Sequence, residues 1–107
     1  MATSKSKRRE KQVEARIKQR ARENGGTAYK FTSPGRRSVP DDLIVCPSIP
    51  PELRPLFIEA KRPGEKATPA QLREHARLRE QGATVFVADD YDIVDLIFES
   101  VCDGSCA

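Results

Sequence analysis

Residues 56–61, Leu-Phe-Ile-Glu-Ala-Lys, constrain the fold more than any other stretch of the chain. The apolar run from Phe57 to Ala60 is interrupted by one carboxylate, closed by one amine and bounded by Pro55 and Pro63, the pattern of a short buried strand. Side chains alternate faces along a strand, so Glu59 and Lys61 project from one side with their Cα atoms about 6.5–7 Å apart. Leu56, Ile58 and Ala60 then line the opposite face. An acid and an amine on an otherwise apolar strand are costly to desolvate unless they pair or bind something. The plainest account is a structural ion pair at a strand end, and the rest of the chain decides whether more is at stake.

A chain of 107 residues fits one domain with a modest core. No apolar run approaches the length of a membrane span and no secretory leader is legible, so no membrane association is expected. Three unevenly spaced cysteines do not suggest a disulfide scaffold and imply a reduced, cytoplasmic protein. The net charge of +3 hides an asymmetry: Met1 to Arg37 holds 12 Lys and Arg against 3 Glu, while Ser38 to Ala107 holds 7 against 13 Asp and Glu. Such a split points to a polyanion contacted by the first third, with nucleic acid the commonest candidate.

In chain order, residues 1–6 read as a disordered basic arm and residues 102–107 as a loose tail around a domain spanning 7–101. Val13, Ile17 and Ala21 recur every four residues in a helix from about Lys7 that Asn24-Gly25-Gly26 stops. Thr27–Thr32 and Val39–Val45 read as strands, the second entered through Pro40 with Asp41 at its mouth. The proline-rich connection 46–55 is expected to be an irregular surface excursion. After the Glu59 strand, Thr68-Pro69 caps a helix to about Gln81, with Leu72, Ala76 and Arg79 on one line. Residues 83–88 form a hydrophobic strand, and Ile93, Val94, Ile97 and Val101 mark the buried stripe of a last helix. The expected class is α/β (α+β) in the order α-β-β-β-α-β-α, a mixed central sheet flanked by helices, with a parallel crossover across the second helix.

Glu14, Asn24-Gly25-Gly26-Thr27-Ala28-Tyr29-Lys30, Ser33-Pro34-Gly35, Val39-Pro40-Asp41, Phe57-Ile58-Glu59-Ala60-Lys61 and Thr68-Pro69-Ala70-Gln71-Leu72 follow one another at spacings that resemble a stand-alone VRR-NUC domain. That family, the virus-type replication and repair nucleases, belongs to the PD-(D/E)xK phosphodiesterase superfamily with its restriction-endonuclease-like core. The similarity covers roughly residues 10 to 98.

The resemblance implies a metal-dependent DNA endonuclease, acting on branched, flapped or junction DNA as a homodimer in the cytoplasm of a phage or bacterial system. Asp41, Glu59 and the carbonyl of Ala60 would hold Mg2+ or Mn2+, which needs hard oxygen ligands. Glu14 would add an acid near the metal, with Glu10 competing for that role, and Gln71 would orient the site. Lys61 would position the attacking water or neutralise charge on the phosphate. Lys30, Arg36, Arg37, Arg16 and Arg20 would contact DNA. The chain departs from the pattern at Ser38, where the family usually has glycine, and at Asp42, often basic, which stands as an extra or substitute ligand.

Two other readings compete: a non-catalytic nucleic-acid-binding module that keeps the fold, and a basic partner for an acidic protein. Cys102 and Cys106 have the spacing of half a zinc site, but four ligands are needed and only Cys46 and His75 remain. His75 itself reads as a surface or boundary residue.

Overall fold

The first helix ends where the chain can turn sharply. In the computed structural model, which describes the backbone of residues 2–102 and side chains from Glu10 onward, α1 spans Ala2–Glu23. Gly26 N–H donates to Ala21 O at 2.8 Å and Gly25 N–H to Arg22 O at 3.0 Å, with Gly25 at φ 83°. These two bonds satisfy carbonyls orphaned at the helix end, and the left-handed residue between them is why glycine is needed there. Residues 2–6, expected as a disordered arm, continue the backbone of α1; their polar sequence carries no apolar period from which a helix start is legible.

The chain then forms β1 (Thr27–Lys30), β2 (Asp42–Val45), β3 (Leu56–Ala60), α2 (Pro69–Glu80), β4 (Thr84–Ala88) and α3 (Tyr91–Cys102). Cys102, expected in the tail, is the buried last residue of α3, and Cys106 lies outside the described residues. The sheet order is β1-β2-β3-β4, antiparallel for the first two pairs and parallel for β3 and β4, which α2 connects. This is the mixed sheet and crossover that the sequence pattern implied.

β2 starts at Asp42 and not at Val39, because Pro40 has no N–H for a ladder and Ser38 sits at φ 65°. The connection 46–55 is less superficial than expected. Ile49 is buried in the core, and Pro51–Leu53 makes a 3-10 turn with proline at its first position, where the missing N–H has no partner to lose.

The core lies on one face of the sheet. Val13, Ile17 and Ala21 of α1 pack with Ile44, Leu56, Ile58 and Ala60 of the strands and with Val94, Ile97, Phe98 and Val101 of α3. Each of these larger side chains contributes about 1.5–3 kcal/mol by leaving water. Phe98 occupies the buried stripe that Ile93 was expected to share; Ile93 is 37% exposed. The second layer differs in kind. The face of α2 turned to the sheet carries Glu74 and His75, while Leu72 is 52% exposed and Ala76 and Arg79 are also exposed. Hydrophobic spacing misplaced that face because α2 covers the side of β3 that bears Glu59 and Lys61, and those buried polar groups take polar partners from the helix.

Candidate active site

The register of the sheet brings the first two predicted acids together. Asp42 pairs with Ile58 across the β2–β3 ladder, so Asp41 stands opposite Glu59, one step beyond the strand's end. The ladder stops there because Pro40 offers no amide, and Asp41 Oδ2 accepts the Ala60 N–H at 2.9 Å in its place. Lys61 continues β3, donating its N–H to Ala88 O at 2.9 Å, and its side chain is buried on the Glu59 side.

The other half of the pocket comes from α2. Thr68 caps this helix: its side chain accepts Gln71 N–H at 3.1 Å, and its own N–H donates to Gln71 Oε1 at 2.9 Å. This capping box commits the amide oxygen of Gln71 to the helix end, leaving the amide nitrogen to donate to Glu59 Oε2 at 3.2 Å. One turn later, His75 Nε2 lies 3.3 Å from Glu59 Oε1. His75 is 0% exposed and its Nδ1 has no partner among the described residues. Burial, with the charges of Arg79 and Lys61, holds its pKa below the ordinary imidazole value, so it stays neutral. A residue expected at the surface thus holds one oxygen of the central carboxylate. The available signal was the four-residue spacing from Gln71, which puts both on one face of the helix.

Glu59 is 2% exposed, and its pKa is pushed up to about 8. Burial is the largest cause, followed by the charge of Asp41 and a hydrogen bond between the two carboxyls, with Lys61 opposing and Glu10 adding a smaller repulsion. Two acids that crowd one another resist ionising together, and once both are ionised they form a site with excess negative charge. That donor set fits a hard divalent cation: Asp41 and Glu59 would hold it, with the carbonyl of Ala60 between them on the strand. Among the described residues no three His, Cys, Asp or Glu side chains converge as a metal-binding group. Magnesium takes one or two carboxylates and keeps several waters, so a two-carboxylate site suits it.

The remaining predicted residues divide. Asp42 alternates to the opposite face from Asp41 and Glu59, so it does not join them as a ligand. It is 0% exposed with both oxygens unpartnered among the described residues. Burial first, then Glu14 and Asp41, push its pKa up to about 6, against Lys30 and Lys18. Glu14 lies on the Asp42 side, where it accepts from Lys30 Nζ at 2.9 Å, while the charge of Glu10 reaches Glu59.

Of the five cations expected on DNA, four are engaged within the fold. Arg16 makes two hydrogen bonds to Asp95 of α3, at 3.0 and 2.8 Å, and stacks over the ring of Tyr91. Arg20 pairs with Glu23 at 2.8 Å, and its Nε lies 3.3 Å from Asp95. Arg36 forks onto the buried Glu74 of α2, and Lys30 holds Glu14. Arg37 is exposed. Cys46 and Cys102 meet through the Ser48 hydroxyl, 3.1 Å from each sulfur, in the core layer across the sheet from His75, so the zinc arrangement does not assemble among the described residues.

No family model matches the sequence. The chain is 47% identical over 89 residues to "Putative nuclease p44" of Acyrthosiphon pisum secondary endosymbiont phage 1, covering 83% of this chain and 91% of that protein. It is also similar to a solved structure of a "VRR_NUC domain", with a TM-score of 0.73 and 36% identity over 85% of this chain and 95% of that one. With the acid pair, the amine and the mixed sheet already in place, these likenesses show that the chain belongs to the VRR-NUC family of nucleases.

Proposed function

We propose that this nuclease is a divalent-metal-dependent endodeoxyribonuclease that cuts branched, flapped or junction DNA during replication, repair or recombination, using Mg2+ or Mn2+. The observation that carries the reading is the placement of Asp41 opposite Glu59 with Lys61 on the same face of β3. When bound, the ion supplies Lewis acidity to the phosphoryl group and to the attacking water. The chain's own residues do the rest. Gln71 and His75 each engage one oxygen of Glu59, fixing its orientation. Asp41 is held by the Ala60 amide. Lys61 contributes a buried positive charge that stabilises the extra charge gathered on the phosphate as water adds and one P–O bond breaks. In this reading Glu10, whose charge reaches Glu59, adds an acid at the rim in place of Glu14, and two copies act as a two-fold dimer to cut both strands. Among the described residues no helix is long and apolar enough to cross a membrane, and the proposed compartment is the cytoplasm, where Cys46 and Cys102 stay reduced.

The test is incubation of the protein with four-way junction, flap and linear duplex DNA in magnesium, manganese or chelator, beside Glu59→Ala and Lys61→Ala. Metal-dependent nicking of the branched substrates, reduced at least about 100-fold in both variants, is expected. Binding without cleavage in either metal would instead make the protein a non-catalytic module that keeps the nuclease fold.

A further inference from the structure

The charge pairing described above leaves the DNA-facing cations of α1 to be found elsewhere on that helix. Lys11, Lys18 and Arg22 are exposed and, with Ala15, follow one another at intervals of four, three and four residues, which places them on one stripe. Among the described residues Lys18 and Arg22 make no ion pair or side-chain hydrogen bond, in contrast to Arg16 and Arg20 on the flank turned to α3. Lys18 and Arg22 line a cleft of about 310 Å3 together with Gly26, Thr27 and Ala28.

The β1 side of the cleft also carries a donor. Phe31 N–H bonds Asp41 O, so along the β1–β2 ladder the hydrogen-bonded pairs are Phe31 with Asp41, Tyr29 with Leu43 and Thr27 with Val45. Both the N–H and the C=O of Ala28 therefore point away from β2, toward the open edge, and the N–H supplies the cleft with a donor. An ammonium, a guanidinium and an outward backbone N–H around one cleft, with no carboxylate lining it, match the needs of a phosphate diester.

We infer that Lys18, Arg22 and the Ala28 amide form an accessory site that grips the DNA backbone beside the scissile position. This rests on the nuclease reading given above. From the cleft, β1 runs to Lys30, which pairs with Asp42 next to the acid pocket. Three residues of strand rise and the two strand spacings from β1 to Glu59 put the acid pair roughly 14 Å away, or about four base steps along a duplex. The site thus engages backbone a few nucleotides from the cut and sets the register of the duplex on the enzyme. A strand from a second copy is the competing occupant of the β1 edge, but Lys18 and Arg22 flanking that edge on both copies would repel one another.

The experiment is a fluorescence-anisotropy titration of labelled duplex in chelator, where no cleavage occurs, repeated over 50–200 mM salt (about a fourfold range) for the wild type and Lys18→Ala/Arg22→Ala. The expected result is a slope of log K against log salt reduced by about 2, with affinity about tenfold weaker at the low-salt end for every sequence tried. Thermal melting of the double variant, and its elution on size exclusion, should match the wild type. An unchanged slope, or a slope that falls only when Arg16 and Arg20 are removed, overturns the inference while the nuclease reading stands. Loss of a dimer in the double variant with unchanged salt dependence overturns it in favour of strand pairing. A wild type with no salt-sensitive DNA affinity, and no cleavage, removes the nuclease reading itself.

Discussion

Gln71 serves Thr68 and Glu59 at once: its amide oxygen accepts the Thr68 N–H at 2.9 Å, and its amide nitrogen donates to Glu59 Oε2 at 3.2 Å. Helix capping and carboxylate orientation are therefore one structure. Thr68→Ala removes the bond from Gln71 N–H to the threonine hydroxyl and is expected to cost about 1 kcal/mol, while leaving Gln71 oriented. Gln71→Ala removes the contact to Glu59 as well and is expected to lower cleavage about 10–100-fold. Thermal melts and single-turnover cleavage of the two variants separate stability from activity; equal activity in both would contradict the coupling.

Metal affinity should report the raised pKa of Glu59. With Glu59 pushed up to about 8 in the metal-free protein, an ion entering below that pH must displace the proton. Calorimetric Mn2+ affinity is expected to tighten about tenfold per pH unit from 6 to 8 and to level off above. Glu59→Gln should flatten the profile along with weakening binding. A flat profile in the wild type would mean that the pair is already ionised.

Asp42 makes the metal-free fold less stable as pH rises. Its folded pKa, about 6, lies above the ordinary 3.8, so its neutral form is favoured in the fold. Stability from this group is complete below pH 3.8 and is lost as pH climbs through about 6, a difference of about 3 kcal/mol. Asp42→Asn keeps the shape without the charge, so its melting temperature in chelator should match the wild type near pH 4 and exceed it at pH 7.5. A constant offset across that range would show that Asp42 does not titrate within it.

Gly26 has no room for a side chain. A Cβ there would lie 2.3 Å from Val45 O and 2.6 Å from Cys46 Cβ, both fixed by β2 and the core. Gly26→Ala is expected to cost on the order of 2–4 kcal/mol, because backbone must move to relieve the clash. Gly35→Ala, with nothing within 4 Å of the added carbon, should stay within about 0.5 kcal/mol, as denaturant titration of both variants would show.

The residues themselves determined the element order and the acid pocket's main members. Local periodicity marked Val13, Ile17 and Ala21 as the buried stripe of α1, and the prolines flanking 56–61 marked β3 with Glu59 and Lys61 on one face. Local sequence placed Asp41 at the mouth of a proline-led strand, the family resemblance put it in one site with Glu59, and the antiparallel register makes the two partner positions.

Tertiary structure alone decided which face α2 turns inward, and so whether His75 is a surface group or a buried neighbour of Glu59. It also decided which arginines remain available: Arg16 meets Asp95 across 79 residues of sequence, and Arg36 meets Glu74 across 38. The physical reason is the same in both cases. Helical and strand periods arise from bonds a few residues apart and are written locally, whereas the partner that neutralises a charge or buries an imidazole is set by which surfaces the packed layers bring together.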